Sequence, residues 1–344
     1  MDLVKDFFTK IETPKVISII GLAKNVSKTT TLNYIIRNIG EQITLGLTSI
    51  GRDGEKYDVI TELPKPQIYV KKGTYVVTAQ QCLEDSKIKF EIIKRTRFNT
   101  PLGEVMILKV LSEGYIELAG PSINKHLLII CSELRNLGCD LILVDGAFDR
   151  RAYATPLISD ATILSTGASV SRNMMEVIDL TIHTIKLLNL EQEKNLKIKE
   201  LSKNVLKKSK VSIIDKVYSV NSLNVATALD AAEEIIQNLK DDSQYVLING
   251  AVTDKLLEDL MKSTQKYKGI TFIVEDGTKL FLSQKTTKKF LKKGGILKVL
   301  NPINIIAITI NPTSPYGYKF DKDKFLKSLQ EELKIPVYNL GVND

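Results

Sequence analysis

Tryptophan is absent from the 344-residue chain, and aromatic residues make up only 6% of it. The core must then be filled by Ile, Leu and Val, and short β-branched runs of this kind favour buried parallel strands flanked by helices. Cysteine is scarce as well: Cys82, Cys131 and Cys139 form no CxxC pair. That argues against a disulfide framework or a zinc knuckle and for a reducing, cytoplasmic compartment. Histidine occurs at His126 and His183 alone, each within a helical apolar pattern, so packing is expected of both. No serine or cysteine has a His and carboxylate set near it in the chain, which removes the nucleophilic triads. No stretch reaches the roughly 18 uncharged apolar residues needed to cross a bilayer. Met1 to Lys10 lacks the basic start and apolar centre of a signal peptide and reads as a short amphipathic helix, so membrane insertion is not expected.

What is present is an ordinary globular composition, 43% apolar and 26% charged, with a net charge of +8. Lysines supply most of that charge in the second half, as in Lys203 to Lys210 and Lys288 to Lys293. No arginine interleaves them and Phe290 is the single aromatic within these two stretches, so they read as solvated helical faces and nucleic acid is not an expected partner.

Along the chain, Lys15 to Ile20 is a β-branched run followed by Gly21, a polar loop and the helical pattern Thr30 to Ile39. Ile43 to Ser49 predicts a second strand ending in the turn Gly51-Arg52-Asp53-Gly54. Between Lys65 and Ala119 the pattern alternates, with strands expected at Thr74 to Thr78, Phe90 to Lys94 and Glu104 to Val110. A helix follows from Ser122 to Leu137, stopped by Gly138. Asp140 to Val144 and Ala161 to Ser165 read as fully buried strands, and Asn173 to Leu188 as a long helix. Glu191 to Lys210 is the candidate boundary. Beyond it, helices are expected at Ala226 to Leu239, Asp254 to Met261 and Asp321 to Leu333. Strands are expected at Tyr245 to Asn249, Thr271 to Val274, Ile305 to Ile310 and Pro336 to Leu340. Alternation of this kind requires parallel strands with long crossovers. The predicted organisation is one α/β domain over 1–190 with a β-rich insertion at about 65–119, then a second α/β domain over 205–344.

The informative segment is Gly21-Leu22-Ala23-Lys24-Asn25-Val26-Ser27-Lys28-Thr29-Thr30. Between a buried strand and a helix, such a loop wraps its N–H groups around phosphates while the helix presents its positive end. Lys28 then bridges the outer phosphates, and the Thr29 hydroxyl stands where Mg²⁺ needs a hard oxygen ligand. The predicted fold is therefore a three-layer P-loop NTPase core with a mostly parallel sheet, and the predicted cofactors are ATP and Mg²⁺. Two departures from the consensus stand out: one extra residue precedes the lysine, and Ser27 replaces the usual glycine. Asp145, ending the run Leu141 to Val144, is a second candidate Mg²⁺ ligand. An Asp-Gly pair also makes plain turns. Asp53 is the third, either positioning the attacking water or touching the metal; a turn explains the same residues. Arg150 and Arg151 follow and read as surface arginines.

The loop, with Val26 before Ser27-Lys28-Thr29, and the strand end Val144-Asp145-Gly146-Ala147 resemble those of dethiobiotin synthetase and its relatives. Ser27 and Asp145 stand where that group has Gly and Glu. A broader likeness, over Gly21 to Thr31, Leu47 to Glu55, Tyr75 to Ser86 and Leu141 to Asn173, resembles the smaller subunit of the lysine 5,6-aminomutase reactivase of lysine-fermenting anaerobes. That resemblance implies ATP-driven release of damaged cobalamin from an adenosylcobalamin-dependent aminomutase, together with a larger ATPase subunit. Three readings stay open. One is an ATPase that resets a protein contact. Another is an ATP-dependent synthetase acting on a small carboxylate or carbamate, with Ser122, Asn124 or Lys24 lining its pocket. The third is a binding module without hydrolysis, in which the Cβ of Ser27 crowds the β-phosphate.

Overall fold

The computed structural model describes residues 2–8, 15–50, 67–84, 86–146 and 155–340. In chain order they begin with α1 (Leu3–Phe8), β1 (Lys15–Gly21), α2 (Lys28–Asn38), β2 (Leu45–Ser49), β3 (Ile68–Val70), β4 (Tyr75–Ala79) and α3 (Gln81–Glu84). Next come β5 (Phe90–Thr100), β6 (Gly103–Val110), β7 (Gly114–Ile116), α4 (Asn124–Asn136), β8 (Leu141–Asp145), β9 (Ala161–Gly167) and α5 (Met174–Leu188). The chain continues through α6 (Leu196–Lys208), β10 (Val211–Asp215), β11 (Val220–Ser222), α7 (Ala232–Asn238), β12 (Ser243–Ile248), β13 (Val252–Thr253) and α8 (Asp254–Ser263). It closes with β14 (Thr271–Val274), β15 (Leu280–Phe281), α9 (Gln284–Lys292), β16 (Ile296–Val299), β17 (Ile305–Asn311), α10 (Lys322–Glu332) and β18 (Val337–Asn339). Two units result: Met1–Ile182 with Asn304–Asp344, and His183–Ile303.

The first unit is built on a nine-stranded sheet in the order β18-β17-β9-β1-β8-β2-β4-β6-β5. The seven strands from β18 to β4 run parallel, and β6 and β5 extend them antiparallel. Successive residues of a strand face opposite sides, so β1 sends Ile17 and Ile19 to one face and Val16 to the other. The first face packs on Leu32, Ile35 and Ile36 of α2. The second packs on Leu127, Ile130, Cys131 and Leu134 of α4. Helices therefore cover both faces of a largely parallel sheet, as the continuous apolar strands required. The alternating stretch between 65 and 119 is antiparallel in part, as expected, yet it is continuous with the main sheet through the pairing of β2 with β4.

In the second unit the order is β11-β10-β12-β14-β16. Its core joins strand residues such as Val246, Phe272 and Val274 to Leu256, Leu257 and Leu260 of α8 and Phe290 of α9. On the opposite face Ile198 of α6 packs with Ile214, Leu247 and Ile273.

Two sequence expectations need correction. A second domain reaching from 205 to 344 is not formed, because β17 and β18 return to the first sheet beside β9. A strand as apolar as Ile305–Asn311 is satisfied only between two neighbours with both faces covered, and the second sheet ends at β16. The proposed boundary at Glu191 to Lys210 is largely the helix α6. Asn195 caps it by accepting from the N–H groups of Lys197 and Ile198, at 3.0 and 3.2 Å. Among the described residues no helix is long and apolar enough to cross a membrane.

Candidate phosphate-binding site

β1 carries Gly21 to the carboxyl edge of the sheet, and α2 begins at Lys28. The chain between them curls. Val26 is buried and folds back over Gly21, where an added Cβ would lie 2.6 Å from Val26 Cγ2 and 3.0 Å from Lys28 Cδ. Glycine is required by this close approach, and the stem of Lys28 lies across the loop rather than away from it. Lys24 and Asn25 are exposed, whereas Ser27, Lys28, Thr29 and Thr30 are half-buried.

Asn25 and Ser27 both adopt left-handed backbone conformations, with φ of 60° and 64°. For a serine this costs roughly 1–2 kcal/mol, whereas asparagine visits the region more readily. Left-handed residues in turns are a feature that anion-binding nests share. Ser27 places no side-chain cap on α2, and the first turn of that helix holds no acidic residue. The positive end of an eleven-residue helix thus faces the loop without a built-in counter-charge.

Asp145 ends β8, the strand next to β1. It stands in register with Ile19 of β1 on one side and Ser49 of β2 on the other. The chain leaves β1 to reach β2 across β8, and leaves β8 to reach β9 across β1. The connections diverge between β1 and β8, and ligands of open α/β sheets bind at the carboxyl edge where they do so. The structure therefore places Gly21 to Thr30 and Asp145 on adjacent strands at one carboxyl edge of the sheet. Asp53, Arg150 and Arg151 lie outside the described residues. Thr29 and Asp145 are hard oxygen donors of the type Mg²⁺ takes beside phosphate oxygens and water. Among the described residues no group of three or more His, Cys, Asp or Glu could hold a metal.

Several residues of this edge were not singled out from the sequence. Asn311, ending β17, donates from Nδ2 to Ser27 Oγ at 2.6 Å. Behind the loop, buried hydroxyls link three elements: Thr309 Oγ1 lies 2.9 Å from Thr31 Oγ1 and 2.8 Å from Ser165 Oγ. The Ser165 carbonyl accepts from the Leu22 N–H at 3.0 Å. The dipeptide Asn311-Pro312 is a legible turn signal, but its partner 284 residues earlier is not. Beyond the ends of β9 and β17, Arg172, Tyr316, Tyr318, Lys319 and Phe320 line a cleft of about 330 Å³. Tyr318 donates to the Ala168 carbonyl at 2.5 Å.

The remaining reactive residue types serve packing. Burial raises the thiols of Cys131 and Cys139 from 9.0 to about 12, so neither is a ready nucleophile. His126 stacks on Phe98 with ring centroids 4.0 Å apart, and His183 Nε2 lies 2.7 Å from the Leu282 carbonyl oxygen.

A mixed α/β protein built on a large, mostly parallel sheet is the class that the fold defines. Comparison with family models, curated proteins and solved structures finds no match to the chain.

Proposed function

We propose that this chain binds ATP·Mg²⁺ through Gly21 to Thr30 and serves as the ATP-binding subunit of a reactivating factor for an adenosylcobalamin-dependent lysine aminomutase. The nucleotide half of this reading rests on one observation: a curled loop with left-handed Asn25 and Ser27 opens onto an uncapped helix start, beside a strand-end carboxylate. The reactivase half rests on the sequence resemblance described above.

In this reading the N–H groups from Ala23 to Lys28 hold the β- and γ-phosphates, and Lys28 bridges the outer oxygens. Lys24, Asn25, Val26 and Thr30 complete the loop's contacts. Thr29 and Asp145 hold Mg²⁺, with Asp53 as a further ligand or the group that orients the attacking water. When bound, that ion neutralises charge on the phosphates. The aromatic cleft beyond β9 and β17 takes the base, its volume lying at the lower end of the range for small-molecule sites. ATP binding favours one state of a complex with the larger ATPase subunit and the aminomutase, and hydrolysis releases it.

A synthetase of the dethiobiotin synthetase type is the second reading. It is favoured by the Gly120 N–H donating to Ser49 Oγ at 3.1 Å, which brings the segment leading to Ser122 and Asn124 to the carboxyl end of β2. Calorimetric titration of the purified chain with ATP·Mg²⁺ tests the shared nucleotide claim, and absence of binding would overturn both readings. Hydrolysis stimulated by a lysine aminomutase supports the reactivase. Turnover that instead requires a small carboxylate or carbamate supports the synthetase, and tight binding without turnover leaves a nucleotide-gated binding module.

A further inference from the structure

We infer that Asn311 is a positioning residue for the phosphate loop, holding Ser27 in the left-handed conformation that glycine would adopt unaided. The functional consequence rests on the ATP-binding reading above. The geometry itself does not.

Ser27 occupies the position before the lysine where such loops ordinarily carry glycine, and its φ of 64° and ψ of 33° are costly for a residue with a Cβ. A conformation of that kind persists only when its surroundings determine it. The Ser27 side chain makes no cap to α2, and its Oγ accepts from Asn311 Nδ2 at 2.6 Å. The orientation of the Asn311 amide is itself set. Its Oδ1 accepts from the Thr313 N–H at 3.0 Å, which leaves the NH₂ end toward Ser27.

Asn311 has little freedom to move. Its carbonyl accepts from the Ala168 N–H at 2.8 Å, and Gly167 of β9 passes so close that an added Cβ would overlap that carbonyl. Two residues earlier, Thr309 bonds to both Ser165 and Thr31. β17 is therefore anchored on β9 and on the first turn of α2, and Asn311 projects from that anchored strand to Ser27. The same contact explains how the loop tolerates the departure from glycine that its sequence shows.

A double-mutant cycle on the full chain tests this. With Ser27 present, Asn311→Ala weakens ATP·Mg²⁺ binding about tenfold, which is about 1.4 kcal/mol. In the Ser27→Gly background the same substitution changes the affinity of that parent less than about twofold, because glycine takes the left-handed form without help. Asn311→Ser repeats the comparison while keeping an oxygen for the Thr313 N–H. A loss caused by the turn after β17 is then distinguished from one caused by Ser27. Urea midpoints for the same variants without nucleotide read the coupling independently of ATP. If the chain with Ser27 binds no ATP·Mg²⁺, the nucleotide reading fails while the urea cycle still decides the positioning role. Equal losses in both backgrounds, or additive urea shifts, would overturn the inference; losses confined to the Ser27 background support it.

Discussion

Lys28 lies with its stem against Gly21. Lys28→Ala is expected to weaken ATP·Mg²⁺ binding at least about a hundredfold, about 2.7 kcal/mol, while circular dichroism and the urea midpoint stay near those of the parent. Normal affinity in the folded variant would remove the loop from the account. The buried thiols set a different expectation. Between 9.0 and about 12 the folded chain keeps protons on Cys131 and Cys139 that an unfolded chain releases. The stabilisation is complete below about pH 9 and falls as pH rises toward 12, since the unfolded state then binds fewer protons. Tyr34, Tyr267 and Tyr338, also raised chiefly by burial, add the same trend from about pH 10 upward. Urea midpoints measured from pH 8 to 10.5 should fall, and less steeply in Cys131→Ala/Cys139→Ala; a flat profile in the parent would contradict this.

At the scale of elements, the strands and helices that build the site were legible because they are long, strongly periodic and bounded by turn residues. The β-branched run at Lys15, the buried run at Leu141 and the helix ended by Gly138 appear within a few residues of their predicted limits. The lysine-rich helices were harder to read. In α6 the apolar stripe is thin, with Ile198 and Ser202 buried, and lysines fill the exposed positions, so composition hid the period. Its start is set by Asn195, and Asn195→Ala should cost about 1 kcal/mol of stability, read as a lower urea midpoint. In α9, Thr286, Thr287 and Phe290 face inward while Lys288, Lys289, Lys292 and Lys293 are exposed. Replacing Lys288 and Lys292 by Gln should change stability by less than about 0.5 kcal/mol each, whereas Phe290→Ala should cost about 3–5 kcal/mol. A large loss from the lysine pair would give these residues a contact that solvated charges do not make.

For the molecule as a whole, each unit has its own core, so thermal unfolding should resolve into two transitions rather than one. ATP·Mg²⁺ at a hundred times its dissociation constant should raise only the transition of the unit that holds the loop, by about 2.7 kcal/mol. A uniform shift of both would mean that nucleotide is linked to the second unit as well. The local sequence determined that Gly21 to Thr30 stands between a strand and a helix, that β8 ends in a carboxylate and that the sheet is largely parallel. These follow from side-chain periodicity and backbone preference, which act over a few residues. Only the tertiary structure decided that the chain returns from its second unit to lay β17 beside β9, and that Asn311 thereby reaches Ser27. Pairing across such a separation is chosen by which sheet edge can bury both faces of the arriving strand, and no short-range pattern carries that choice.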